Sequence, residues 1–162
     1  MRRTELESAI RLRERGDFEE AGTVIARVLE KAPEDAEANH QMAWRYDVQG
    51  CEREAVPFYV RAIAGGLSGE ERRSALLGLG STYRAMGEYP EAVDMLRRGV
   101  SEFPADRGMQ TFLALALYNV GEHRQAVDLL LKNLVETTSD PGIRSYEKAL
   151  RFYTGRLDEV WD

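Results

Sequence analysis

Residues 76–96 read LLGLGSTYRAMGEYPEAVDML, and this stretch holds one complete turn between two amphipathic segments. Leu76, Leu79 and Tyr83 recur at helical spacing before the glycine of the turn, and the apolar residues after it keep the same period. That glycine, Gly87, accepts a positive φ at the end of a helix without steric cost. The stretch therefore predicts a helix, a glycine turn and a second helix.

The same arrangement recurs along the whole chain. Each turn glycine is followed five residues later by a small apolar residue, in the pairs Gly16/Ala21, Gly50/Ala55, Gly87/Ala92, Gly121/Ala126 and Gly155/Val160. The successive spacings are 34, 37, 34 and 34 residues. A fixed period of this length is typical of stacked helical repeats, so the sequence predicts an all-α solenoid of helix pairs.

The repeat boundaries carry helix start signals. We expect a single domain over residues 1–162, with units at about 2–34, 35–68, 69–105 and 106–139 and a degenerate capping segment at 140–162. The predicted N-caps of the second unit, the fourth unit and the capping segment are Asp35, Asp106 and Asp140. Ser68 and Glu71 have the spacing of a capping box, so the third unit is expected to begin about one turn early.

Small residues hold matching places in the first four units. In the first helices these are Ala9, Ala43, Gly80 and Ala114, and in the second helices they are Ala21, Ala55, Ala92 and Ala126. With the turn glycines and with Pro33 and Pro104 after second helices, this pattern resembles the tetratricopeptide repeat family, including small bacterial members of unassigned role. The resemblance implies a right-handed superhelical solenoid whose first helices line a concave groove that binds other proteins.

The family register also implies which residues line that groove. They are Leu6, Ile10, Arg13, His40, Trp44, Asp47, Leu77, Ser81, Arg84, Thr111, Leu115 and Tyr118. The row is largely apolar and aromatic, which resembles the core of a protein interface, and Trp44 is expected at its centre. We therefore expect a scaffold that docks a peptide or helix of a partner protein. The alternative is that some of these side chains are half-buried between helices.

The last segment of the chain differs from the other units. Ile143, Tyr146, Leu150 and Tyr153 form an apolar stripe that suits a capping helix. A possible homodimer surface is predicted close to the C-terminus, at Phe152, Tyr153, Leu157, Val160 and Trp161. A homodimeric assembly module that uses the groove or this surface is the leading rival function. The competing interpretation is that the tail folds back over the fourth unit.

The residue types that carry chemistry are sparse. His40 and His123 lie far apart in sequence, and neither has a second His or Cys at metal-ligand spacing. Cys51 is the only cysteine, and because no base accompanies it in sequence it is predicted to be an inert thiol. We therefore expect no catalytic residue, metal site or cofactor, and an enzyme is only a remote alternative.

Composition narrows the classes of partner. The chain carries a formal net charge of −6, whereas nucleic-acid scaffolds depend on clustered Lys and Arg to neutralise phosphates. An uninterrupted apolar run of about 18 residues, as a membrane span requires, is absent from the sequence. A single cysteine allows no intrachain disulfide, which favours a reducing compartment. We expect a cytoplasmic protein whose partner is another protein, with no nucleic acid or membrane involved.

Overall fold

The computed structural model describes residues 2–161, with side chains described from residue 3 onward. The regular structure in this range is all helical, as predicted. The helices are α1 (Arg2–Glu14), α2 (Phe18–Lys31), α3 (Ala36–Val48), α4 (Glu52–Ala64), α5 (Gly69–Ala85), α6 (Tyr89–Glu102), α7 (Arg107–Asn119), α8 (His123–Thr137), α9 (Pro141–Arg144) and α10 (Glu147–Tyr153). Within residues 2–161, none of the helices has the length and apolar character that crossing a bilayer requires.

The helices stack in the order of the chain. Each of the first seven packs against the next, and further contacts join α1 to α3, α3 to α5 and α5 to α7. A solenoid has this pattern, because each repeat contacts only its neighbours. The first helices of the units therefore lie side by side and form one continuous side of the array.

The turns have the predicted glycine geometry. Gly16, Gly50, Gly87 and Gly121 take φ values between 71° and 87°, which residues with a Cβ rarely adopt. At Gly87 the backbone N–H donates to the carbonyl oxygen of Arg84 at 3.1 Å and so closes the end of α5. The prediction that glycine ends each first helix is confirmed.

Three of the four predicted helix starts are correct in detail. Asp35, Asp106 and Asp140 each accept a hydrogen bond from the backbone N–H three residues on, at 2.8–2.9 Å. Ser68 precedes α5 but its side chain makes no capping hydrogen bond, because Gly69 takes a φ of +54° instead of the helical value. The capping box is therefore wrong, although α5 does start early and has 17 residues where α3 has 13.

The buried core falls into two clusters. The smaller joins α1, α2 and the start of α3, and the larger extends from the second unit to the fourth. Two stacked rings, Tyr46 and Phe58, pack against both clusters with their centroids 5.6 Å apart. Small residues allow the close approach of paired helices, since a Cβ added to Gly80 would lie 2.5 Å from Cγ of Leu96.

The C-terminal segment departs from the repeat. α9 ends after four residues, and α10 begins only after a break and packs against α8. Ile143 and Leu150 are half-buried, but Tyr146 and Tyr153 are exposed. The predicted capping stripe is therefore wrong for the two tyrosines, because the break ends the continuous helix on which all four would share a face.

Candidate functional site

The residues of the predicted groove row lie along the first helices and fall into three classes of burial. Leu6 and His40 are buried, Leu115 and Tyr118 are exposed, and the remaining members are half-buried. Exposure increases towards α7, because the main packing partners of α7 within residues 2–161 are α5, α6 and α8, all on its near side. Leu6 and His40 therefore support the row from beneath and offer no surface to a partner, which corrects their place among the predicted contact residues.

Two arginines of the row are bonded to the next unit. Arg13 donates from Nη1 to Oε1 of Gln41 at 2.5 Å. Arg84 makes the equivalent contact one junction further on, donating from Nε to Oδ1 of Asn119 at 2.9 Å. Both partners are neutral amides, so these arginines brace neighbouring units and keep their charge beside the groove.

Asp47 links the second and third units. Its carboxylate accepts hydrogen bonds from the hydroxyl groups of Thr82 at 3.0 Å and Tyr59 at 3.1 Å, and both of these donors are buried. Burial raises the pKa of Asp47, while the two hydrogen bonds oppose that rise. Asp47 is therefore occupied as a structural acceptor, and it does not act as a free groove carboxylate.

Trp44 lies where the first two units meet. The Arg13 guanidinium is 4.0 Å from the centre of the indole ring, and the Phe18 ring centroid is 6.5 Å away. A guanidinium over an indole face makes a favourable cation–π contact. The half-buried Trp44 is therefore held in place by both neighbours while part of its surface remains accessible.

His40 lies behind the row with its ring centroid 6.2 Å from that of Tyr59. Its side chain is only 5% exposed, and neither ring nitrogen finds a hydrogen-bond partner among the described residues. Burial, together with a smaller effect of the nearby Arg13 charge, lowers the pKa of His40 to about 4. The imidazole is therefore neutral near pH 7.

A second apolar surface, on α8, was missed by the sequence analysis. It consists of Val127, Leu130 and Leu134, which are 49%, 39% and 43% exposed, and we call it the α8 stripe. The equivalent residues one repeat earlier, on α6, are buried or half-buried: Val93 (4% exposed), Leu96 (0%) and Val100. Comparing the two units by register would have identified the stripe, but its exposure depends on the helices that follow.

The C-terminal tail turns away from the α8 stripe. Gly155 donates its N–H to Oδ1 of Asp128 at 2.8 Å, and Arg124 pairs with Asp158 at 3.4 Å. Gly155 and Arg97 of α6 both line a cleft of about 370 Å³. The tail thus folds back towards the preceding units along a different side of α8, so the stripe remains open.

The predicted C-terminal residues are all exposed, and three of them lie together. Phe152, Tyr153 and Trp161 form an aromatic cluster with centroids 5.4–5.6 Å apart. Leu157 and Val160 are also exposed. The two interpretations of the tail are therefore compatible, since it folds back on α8 and still presents apolar surface.

The other residues weighed as sources of chemistry are Cys51 and His123. Cys51 is a half-buried free cysteine, and the His123 ring lies 4.9 Å from the Tyr118 ring. Within the described residues, no cluster of three or more His, Cys, Asp or Glu side chains is placed to hold a metal ion.

Comparison with known proteins agrees with this architecture. The family model described as Tetratrico peptide repeat matches residues 36–157, and no curated protein matches the chain. Similar solved structures include YrrB, described as a TPR protein with an unusual peptide-binding site, at TM-score 0.75, 18% identity and coverage of 95% of this chain and 78% of that one. The structure described as MamA AMB-1 gives TM-score 0.74 and 16% identity over 90% and 78% of the two chains.

A third similar structure is that of putative kinesin light chain repeats from Podospora anserina, with TM-score 0.68 and 22% identity over 98% and 97% of the chains. At these identities the likeness concerns the fold. Such folds are generally interaction scaffolds without catalytic chemistry. Because the family model matches most of its length, the chain belongs to the tetratricopeptide repeat family.

Proposed function

We propose that the protein docks a peptide or helix of a partner protein in the groove lined by α1, α3, α5 and α7. The supporting observation is that polar and apolar residues of the groove row make different contacts. Three of its polar members, Arg13, Asp47 and Arg84, are bonded between units, whereas its apolar and aromatic members other than Leu6 remain at least partly accessible.

The bonded polar residues prepare the groove for binding. Arg13, Asp47 and Arg84 each make a hydrogen bond to the following unit. Their side chains are ordered before a partner arrives, so binding loses little additional conformational entropy. The groove therefore offers a preformed surface.

The accessible residues define the chemistry of the partner. Ile10, Trp44, Leu77, Leu115 and Tyr118 come from all four units and are half-buried or exposed. Such a row suits the apolar face of an amphipathic helix or the alternating side chains of an extended segment. We propose non-covalent docking by apolar burial, with no catalytic step, in a reducing cytoplasmic compartment.

Site-specific photo-crosslinking tests this proposal. A benzoylphenylalanine at Ser81, in the middle of the row, should crosslink the partner in the native cell extract. The same group at Val60, an exposed apolar position on α4, should not. Adding Trp44→Ala to the Ser81 variant should remove the crosslink. Equal crosslinking at both positions, or a crosslink that persists in Trp44→Ala, would place the binding site elsewhere.

Self-association is the second candidate function. The observation that favours it is the amount of apolar surface left exposed at the C-terminal end, including the cluster of Phe152, Tyr153 and Trp161. Contiguous exposed apolar patches of this kind mark interaction sites in folded proteins. Light scattering on the purified protein tests this candidate, because a monomer at every concentration would exclude it.

A further inference from the structure

We infer that a second copy of the chain packs, about a two-fold axis, on the surface formed by the α8 stripe and its neighbours on α7. This end surface comprises Leu115, Tyr118, Val127, Leu130 and Leu134. The inference rests on the self-association candidate and deepens it. Leu115 and Tyr118 also belong to the groove row, so groove docking is tested separately at Ser81, which lies outside the end surface.

The end surface corresponds to the surface on which the next first helix packs one repeat earlier. One repeat earlier, α7 packs on the corresponding faces of α5 and α6. Arg84, the equivalent of Tyr118, donates directly to Asn119 of α7. Leu96, the equivalent of Leu130, has no exposed surface. The fourth unit has the same apolar residue types on its second helix, but α10 packs on a different side of α8.

The charges of α8 are confined to another face. Arg124, Asp128, Lys132 and Glu136 follow one another at intervals of four and share a side of the helix. Arg124 and Asp128 bond to the C-terminal tail, and Glu136 pairs with Arg107 at 2.5 Å. The end surface therefore contains no Asp, Glu, Lys or Arg. Two copies can meet there without like charges in contact, although each carries a net charge of −6.

The N-terminal helix α1 of a second copy is poorly suited to pack on the end surface. In α3, the face packed on the preceding unit carries the buried residues Ala38 and Met42. The equivalent positions of α1 are Thr4 and Ser8, with exposed charges beside them. Seating α1 on the α8 stripe would bury polar groups without partners. Head-to-tail stacking is therefore disfavoured, and a closed two-fold pair is the arrangement that the two ends allow.

The exposed area is of the size that a dimer requires. A stable interface buries at least about 1,000 Å² in total, or about 500 Å² on each protomer. The five large side chains of the end surface are each 38–63% exposed, and they supply area of that order before any rim residue contributes. The end surface alone can therefore support a modest dimer.

Light scattering on the full chain across a wide concentration range tests the inference. The protein should show twice the monomer mass at high concentration, and Leu130→Asp should restore the monomer mass with unchanged helicity. The control Val60→Asp, at an equally exposed valine on α4, should leave the dimer intact. Removal of residues 157–162 should also leave it intact, because the tail lies on another side of α8.

A cysteine variant keeps the inference testable if Leu130→Asp fails to fold. In a Cys51→Ser background, Val127→Cys should form an intermolecular disulfide under mild oxidation, whereas Val60→Cys should not. The inference is overturned by a wild-type monomer at all concentrations or by a dimer that persists in folded Leu130→Asp. Equal crosslinking of the two cysteine variants, or loss of the dimer on removing residues 157–162, would overturn it too. None of these outcomes affects the groove crosslink at Ser81, so the two proposals fail separately.

Discussion

The third and fourth units differ most in what lies beyond their second helices. α6 and α8 both have an Ala-Val pair in their first turns, beginning at Ala92 and Ala126, and carry apolar residues at the same later positions. In α6, which packs between α5 and α7, these residues are buried or half-buried, and in α8 the equivalent residues form the exposed stripe. An amphipathic pattern therefore shows which face of a helix is apolar, but whether that face becomes buried depends on where the following helix packs.

The most direct test of this comparison truncates the same residue in both units. Leu96→Ala should lower the free energy of unfolding by about 2–5 kcal/mol, because it empties a fully buried site beneath Gly80. Leu130→Ala should cost about 1 kcal/mol or less in the monomer, because that side chain is already partly hydrated. Urea denaturation at low protein concentration measures both. Equal losses would show that the α8 stripe is covered in solution.

The comparison of a buried with an exposed site can be repeated at His40 and His123 by changing the pH. Unfolded His40 takes up a proton near pH 6.5 and folded His40 only near pH 4, so protons favour the unfolded chain. The free energy of unfolding should fall by about 3 kcal/mol as the pH decreases from 7 to 4. Thermal or urea unfolding at several pH values measures the slope.

The matched control for this prediction is His123→Gln, at the exposed end of the array. It should retain the pH dependence of the wild type, whereas His40→Gln should lose the part between pH 6.5 and pH 4. Carboxylates that titrate in the same range contribute equally to both variants. An unchanged slope in His40→Gln would mean that His40 is hydrated in solution.

Trp44 tests whether a half-covered residue behaves as surface or as core. Trp44→Ala should weaken binding of the partner that crosslinks at Ser81 by about 2 kcal/mol or more, as truncation of an aromatic anchor often does. Its helicity by circular dichroism should stay close to that of the wild type, because the ring is only half-buried. Global unfolding of this variant would show that Trp44 belongs to the core and that the groove assignment is wrong.

The smallest expected effects come from two aspartate caps, one inside the array and one at its end. Asp106→Ala removes the cap of α7 and the ion pair with Arg73 at 2.5 Å, and it should cost about 1 kcal/mol or slightly more. Asp140→Ala removes the cap of the four-residue α9 and should cost only a few tenths of a kcal/mol. Melting temperatures measure both. A larger effect at Asp140 would indicate that the C-terminal segment stabilises the array.

Local features of this chain were predictable because their causes lie within a few residues. Gly87 ends α5 through its own φ, and Asp106 caps α7 through the N–H three residues on. The failures depended on distant neighbours. His40 matches the groove register, yet its burial arises from the helices around it, and the exposure of Leu130 follows from the path of residues 141–161. The groove row itself remains a prediction, since its register identifies a surface and not what that surface binds.

The two-cluster core has a consequence for how the array melts. In a nearest-neighbour description, each unit contributes an intrinsic stability and each junction a coupling energy. Here the seam between the two clusters falls inside α3, because Ala38 and Met42 belong to the smaller cluster and Ala43 to the larger, while the stacked rings of Tyr46 and Phe58 pack against both. We therefore expect cooperativity to be weakest within the second unit, between the first unit with the start of α3 on one side and the later units on the other.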